Sequence, residues 1–418
     1  MNAPVARKPL MALDAALSEL LGALKGRALD TEKVATLDCD GRVLAQDVVS
    51  ALQVPPQDNS SMDGYAVRVA DVASGLPLPV SQRIAAGSSG TPLEPGTVAR
   101  IFTGAPIPPG ADAVVMQEDC TDVAAVNASD TRPAISVNSQ PQSGQWIRRQ
   151  GEDVTLGHAV LRAGQRLGPA ALGMAASVGC AELLVARRPR VALFSTGDEL
   201  VMPGQVRPQD MAPGAIYNSN RFFLASLLKR MGCDVTDLGI VPDQLDATIA
   251  ALRQAAQSHD VILTSGGVSV GEEDHIKPAV QSLGTLDLWQ IAIKPGKPFA
   301  HGRIGKAHFV GLPGNPVSSF MTFLLLVRPF LLRMQGVEDV SMPSQTLRAD
   351  FAWPRADRRQ EFLRVRRNTA GGLDLFPNQS SGVLSSAVWG DGFVDNPPSN
   401  TIAQGDAVRF VAFNELLA

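Results

Sequence analysis

Three acidic residues follow short apolar runs in one stretch of the chain. Glu199 lies in FSTGDELVMPG after Val191–Ser195, Asp243 follows a run ending near Val241, and Asp274 closes TSGGVSVGEED after Val261–Thr264. If those runs are strands of one sheet, three carboxylates stand at its strand ends. Hard oxygen donors of this kind suit Mg2+, which often bridges to substrate phosphates. Beside Asp274, the glycines Gly266, Gly267 and Gly271 would let backbone amides close around a phosphate. The segment is not a Walker loop, because Glu272 and Glu273 occupy the positions that need Lys and Ser or Thr. Each acid taken singly is accounted for by the preference of helix N-termini for negative charge. Their recurrence at three strand ends is what points to a cation-neutralised phosphate.

Two more loops in the same stretch handle anions. IKPGKPF places Pro295-Gly296 between Lys294 and Lys297. Pro then Gly is the pattern of a type II turn, which brings the two lysines within about 7 Å by Cα. An oxyanion between them explains two like charges so close; two solvated surface lysines explain them equally well. GLPGNPVSSF repeats the device with Pro313-Gly314, then Asn315, Pro316 and Ser318. Asn before Pro is a good helix start, and its rigid end can aim amides and a hydroxyl at an anion. Elsewhere, PPQDNSSMDGYAVR carries Asp63, RIFTGAPIPPGADAVV carries Thr103, and RRQGEDV carries Asp153. A turn explains each of these by itself.

These loops need a scaffold, and the pattern supplies one. From Arg190 to about Gly336, apolar runs of strand length alternate with amphipathic helical stretches such as Asn218–Gly232 and Gln244–Gln257. That alternation predicts a mostly parallel sheet covered on both faces. Pro316–Met334 predicts a long apolar helix kinked at Pro329. Residues 57–142 are rich in Pro, Gly, Val and Ala with short apolar runs, the look of a small β-rich unit. After Gly336, EFLRVR, GLDLFP and DAVRFVAF predict a compact β unit. The N-terminal stripe of Leu13, Leu17, Leu20, Leu21 and Leu24 reads as a helix and not a signal peptide.

Composition removes several classes. The 418 residues are 45% hydrophobic and 19% charged with net charge −4, which argues against nucleic-acid binding by bulk electrostatics. Four scattered cysteines without a CxxC pair argue against a zinc ribbon or a disulfide scaffold. The later apolar run Phe320–Val327 is too short to span a bilayer. A cytoplasmic protein is expected.

Taken together, NSSMDGYAVR, TGAPIPPGADAVV, IRRQGED, FSTGDEL, TSGGVSVGEED, IKPGKPFA and GLPGNPVSS resemble the molybdopterin molybdenumtransferases, the MoeA and gephyrin E-domain family. The resemblance runs nearly end to end. It implies insertion of molybdate into adenylylated molybdopterin with Mg2+, releasing AMP and forming molybdenum cofactor. It also implies a homodimer whose cleft borrows loops from the partner subunit, and a transient contact with the upstream adenylyltransferase. The implied fold is α/β multidomain. Residues 1–56 with 143–186 form a discontinuous elongated helical/β N-terminal domain, and 57–142 an inserted small β domain. Residues 187–336 form the mostly parallel α/β domain that binds molybdopterin, and 337–418 a C-terminal β domain.

By the same resemblance, Asp63, Thr103 and Asp153 are cleft residues outside the α/β domain, with Asp63 reaching the partner's cleft. Glu199, Asp243 and Asp274 are the Mg2+ and phosphate-side carboxylates, and Lys294 and Lys297 contact molybdate or phosphate with Ser318 nearby. Arg364 and Ser381 are further molybdate ligands. One departure stands out: His275 occupies a position that often holds Tyr. Competing expectations are a molybdopterin adenylyltransferase acting one step earlier, a gephyrin-type scaffold for partner peptides, and insertion of tungsten.

Overall fold

The computed structural model describes residues 10–25, 29–124, 130–267 and 275–417. Gly271, Glu272, Glu273 and Asp274 therefore lie outside the described residues.

The α/β unit is built on a six-stranded sheet in the spatial order 234–241, 190–196, 261–265, 307–312, 298–304, 284–290. The first four pair in parallel; 298–304 joins them antiparallel, and 284–290 pairs antiparallel with 298–304 at the edge. In the Arg190–Thr196 strand, Val191 and Leu193 face one hydrophobic cluster while Ala192 and Phe194 face another. Alternation of fully buried residues on both faces is what a doubly covered sheet requires. Leu224, Leu227 and Leu228 of the Ser219–Arg230 helix close one face. Leu252 and Ala255, with Ile276, Ala279 and Val280, close the other.

From the 190–196 strand, the chain crosses first to the 234–241 strand on one side, then to the 261–265 strand on the other. A crevice opens at such a reversal, outside the carboxyl ends of the strands.

The helix from Pro316 to Met334 runs through the core. Its break is not a simple kink at Pro329: Phe323–Val327 is π-helical and Arg328–Met334 resumes as α-helix. The wider turn just upstream accommodates a proline that has no N–H to give to the turn before it. Length and hydropathy alone would let this helix cross a membrane, yet 89% of that window is buried inside the protein.

Three β-containing units surround the core. Residues 64–137 contribute a six-stranded sheet ordered 113–116, 64–67, 98–101, 78–84, 134–137, 120–123. An elongated unit pairs Thr31–Ala35 with Glu182–Ala186 and Val48–Val49 with Ala159–Leu161, beside the Pro169–Ser177 helix. The C-terminal sheet gathers 345–349, 360–367, 372–375, 392–396 and 407–412, and it also takes in Ile293–Lys294.

Two expectations change here. By the resemblance, the Leu13–Gly22 helix belongs to the elongated N-terminal domain. Its buried stripe of Leu13, Ala16 and Leu20, continued by Leu24, instead joins the α/β core, and Met11 N donates to Gln290 O at 2.8 Å. The strand expected from Leu286 to Ile293 ends at Gln290, and Ile293–Lys294 leaves for the C-terminal sheet.

Candidate functional site

The crevice at the strand ends is assembled by three turns that touch one another. Thr196 ends the first strand, and Ser265-Gly266-Gly267 ends the third. Gly267 has φ 66°, and a Cβ there would run into Ile276 and crowd Thr196 Oγ1, so only glycine fits. Gly266 N donates to Leu312 O at 3.0 Å, which brings in the Pro313-Gly314 turn. A Cβ built on Gly314 would reach to 3.9 Å from Gly266 Cα.

A residue that pattern reasoning missed ties these turns together. Asn220, 8% exposed, donates from Nδ2 to Ser265 Oγ at 2.7 Å and to Gly314 O at 2.7 Å. Its neighbour Asn218 caps the helix by accepting from Arg221 N at 3.2 Å. In the sequence, YNSN reads as an ordinary helix start, so only the cap was legible. Around the strand ends, Ser195 Oγ, Thr264 Oγ1, Ser319 Oγ and Asn218 Nδ2 are buried without a hydrogen-bond partner among the described residues. Such groups are few in native proteins, and a cluster of them marks a place where a polar ligand can bind.

The carboxylates follow adjacent strands. The 190–196 and 234–241 strands pair directly, with Thr196 opposite Val241, so Glu199 and Asp243 issue from neighbouring strand ends. Glu199 folds its carboxylate back over Gly197. Among the described residues no three His, Cys, Asp or Glu side chains gather to hold a metal ion. The two carboxylates are hard donors of the type Mg2+ takes, but they form no cage of their own.

The lysine loop differs from its expected shape. The Lys294–Pro295 peptide is cis, so this is not the type II turn expected from Pro-Gly, although Gly296 does take a positive φ of 110°. A Cβ at Gly296 would collide with Thr322 Oγ1, which places the loop flat against the helix carrying Ser318. Lys297 is exposed and forms no ion pair among the described residues. Lys294 is not the free cation that was expected: its Nζ donates to Glu361 Oε1 at 2.9 Å and lies 3.4 Å from Asp357 Oδ2.

The third loop starts the core helix with Pro316 in its first turn, but Asn315 makes no side-chain cap, contrary to its reading as a good N-cap. Ser318 is 5% exposed. Val317 N donates to Ser381 O at 2.9 Å, so the loop bearing Ser381 seats on this helix start.

Arg364 is 1% exposed. Its Nε donates to Ser386 Oγ at 3.2 Å and its Nη1 to Phe362 O at 2.8 Å, while its Nη2 has no partner among the described residues. Burial pulls its pKa down to about 10. A buried guanidinium without a carboxylate is costly, and an oxoanion would relieve it.

Asp63 and Thr103 sit apart, on the small β unit. Asp63 Oδ1 accepts from Thr103 N at 2.7 Å and from Thr103 Oγ1 at 2.8 Å. These two bonds, aided by Arg100, hold its carboxyl below the usual value. Asp153 is exposed in the elongated unit, where its N donates to Val54 O at 3.0 Å. The bonds of these three residues stay within their own units.

The chain is also similar to known proteins over nearly its whole length. Residues 11–179 match the MoeA N-terminal region (domain I and II), 192–333 a probable molybdopterin binding domain, and 346–413 the MoeA C-terminal region (domain IV). The chain is 38% identical over 416 residues to a molybdopterin molybdenumtransferase of Haemophilus influenzae, covering 98% of this chain and 100% of the relative. It is 36% identical to that of Synechococcus elongatus, covering 91% and 93%. A solved molybdopterin biosynthesis MoeA protein from Pyrococcus horikoshii matches with TM-score 0.80 and 28% identity, covering 97% of this chain and 100% of that one. Matched in all three regions and over nearly its whole length, the chain belongs to the MoeA family of molybdopterin molybdenumtransferases.

Proposed function

We propose that this transferase takes adenylylated molybdopterin and molybdate, inserts the metal at the pterin dithiolene and releases AMP. The observation that carries this reading is the meeting of the 264–267, 313–319 and 379–386 loops at the strand ends, with Arg364, buried and without a carboxylate partner among the described residues, bonded to Ser386 of the last of these loops. Molybdate is a dianion that must approach a phosphorylated ligand. Cations fixed before it arrives lower that barrier because they need no reorganisation.

In this reading the Gly267 amide and the Ser318 hydroxyl face substrate oxygens, since the Gly266 and Val317 amides already donate to Leu312 O and Ser381 O. Lys297, Arg364, Ser318 and Ser381 face the oxoanion. Glu199 and Asp243, with Asp274, would hold Mg2+ whose remaining ligands are substrate oxygens; the ion supplies charge neutralisation of the phosphates. Asp63 and Thr103, and Asp153, complete the cleft across a homodimer. A cytoplasmic setting fits the four free thiols.

The test is incubation of the full chain with adenylylated molybdopterin, Mg2+ and molybdate. AMP release that depends on molybdate is expected, with Asp274→Asn folded but reduced by on the order of 10²-fold, the scale of losing one electrostatic group. ATP consumption with free molybdopterin and no AMP release would make the protein an adenylyltransferase. Unchanged activity in Asp274→Asn would remove the carboxylate assignment.

A further inference from the structure

Among the described residues, the charged and aromatic partners of Lys294 all come from one unit. Its ammonium is 2.9 Å from Glu361 Oε1, 3.4 Å from Asp357 Oδ2 and 5.9 Å from the centre of the Trp353 ring, all in the C-terminal β unit. The register makes this possible: Lys294 lies opposite Glu361 in the parallel pairing of 293–294 with 360–361.

The two carboxylates are not equivalent. Asp357 is already held by Arg359, whose Nε and Nη2 donate to it at 3.0 and 2.8 Å. Glu361 has a side chain only 1% exposed. Its Oε2 accepts from Trp353 Nε1 at 2.8 Å, with Asn396 Nδ2 at 3.5 Å. Both of these neighbours are neutral, so Lys294 is the cation in direct contact with this buried charge, and the Arg359 guanidinium acts on it from farther off. A buried carboxylate robbed of its partner is costly. The flexible lysine stem is therefore pinned.

We infer that Glu361 is a positioning residue for the oxoanion step, fixing Lys294 Nζ in place while cancelling much of its charge. The inference rests on the molybdate reading above. An arriving dianion then meets a fixed but weakened cation at Lys294 and a free one at Lys297. Site affinity is held down, which favours turnover over retention of the oxoanion, and the C-terminal unit sets that affinity from outside the pterin-binding sheet.

The experiment measures molybdate binding by calorimetry and steady-state AMP release on the full chain. Glu361→Gln keeps an acceptor for Trp353 and removes the charge. It is expected to tighten molybdate binding by about 3- to 10-fold, a modest Coulomb change across a partly solvated gap, and to lower kcat as Lys294 loosens. In a Lys294→Met background the same substitution should leave binding unchanged, since its effect acts through that ammonium. Trp353→Phe retains the charge and frees Oε2; it should lower kcat with the molybdate KM unaltered. It also serves should Glu361→Gln not fold. A purely structural Glu361 produces no such split between KM and kcat. An active parent whose Glu361→Gln variant binds molybdate with unchanged or weaker affinity overturns the inference, as does an equal effect in the Lys294→Met background. In the Trp353→Phe arm, an unchanged kcat or a raised KM overturns it too. A parent that releases no AMP with molybdate instead overturns the functional reading on which it stands.

Discussion

Asp63 is held by one residue, by the backbone N–H of Thr103 first and by its hydroxyl second. Its carboxylate takes two bonds from Thr103, and both favour the ionised form, so its pKa lies below the ordinary value. For a carboxyl depressed in the folded state, the stabilising contribution is complete above the unfolded value of about 3.9 and disappears as pH falls through the lower folded one. Thr103→Val removes the hydroxyl donor. The Asp63 carboxyl should then titrate at higher pH, closer to its free value, when followed by NMR of the side-chain carbon; an unmoved titration would mean the backbone N–H alone sets it. Lys297 was legible from its turn, whereas Asp63 and Arg364 were singled out only through the family motifs. The fate of Lys294 was not legible, because its partner is 67 residues away, and an acidic residue inside the apolar strand EFLRV gives no hint of what it faces. Asn220 was hidden for a similar reason: both its acceptors come from other strand ends.

At the scale of elements, periodicity served well where an element buries a face and poorly where a loop is shaped by its neighbours. The helices at 219–230 and 245–258 and the strands at 190–196 and 261–265 follow the apolar pattern closely, because burial on the sheet is what selects them. The lysine loop does not follow local turn chemistry, because the C-terminal sheet captures Ile293–Lys294 and the core helix presses on Gly296. Gly296→Ala puts a methyl against Thr322 at a φ of 110°. A cost of about 1–3 kcal/mol in urea unfolding is expected, together with a raised KM for molybdate as the loop lifts from the helix. An alanine variant of parental stability would show that the loop can move aside freely. The N-terminal leucine stripe was recognised as a helix, but which core it serves depends on tertiary partners in the 328–334 helix, which no local window contains.

For the whole molecule, the chain crosses from the α/β unit to the C-terminal unit more than once. Besides the covalent link after Gly336, the 293–294 strand lies in the far sheet. Arg328 Nε, in the core helix, donates to Leu416 O at 2.9 Å. Phe413 and Leu416 are buried in the same hydrophobic cluster as Leu324 and Phe330. The four-unit plan was legible from composition shifts and motif order; this stitching was not, since two residues in a sheet of another unit leave no pattern. Its consequence concerns a severed chain. A protease cut engineered between 337 and 344 should yield two pieces that co-elute in size-exclusion chromatography and retain AMP release, parting only in denaturant. Pieces that separate in native buffer would mean that the peptide bond, and not the borrowed strand, keeps the lysine loop in register. Continuity of the backbone at that point is, on this view, dispensable once the molecule has folded.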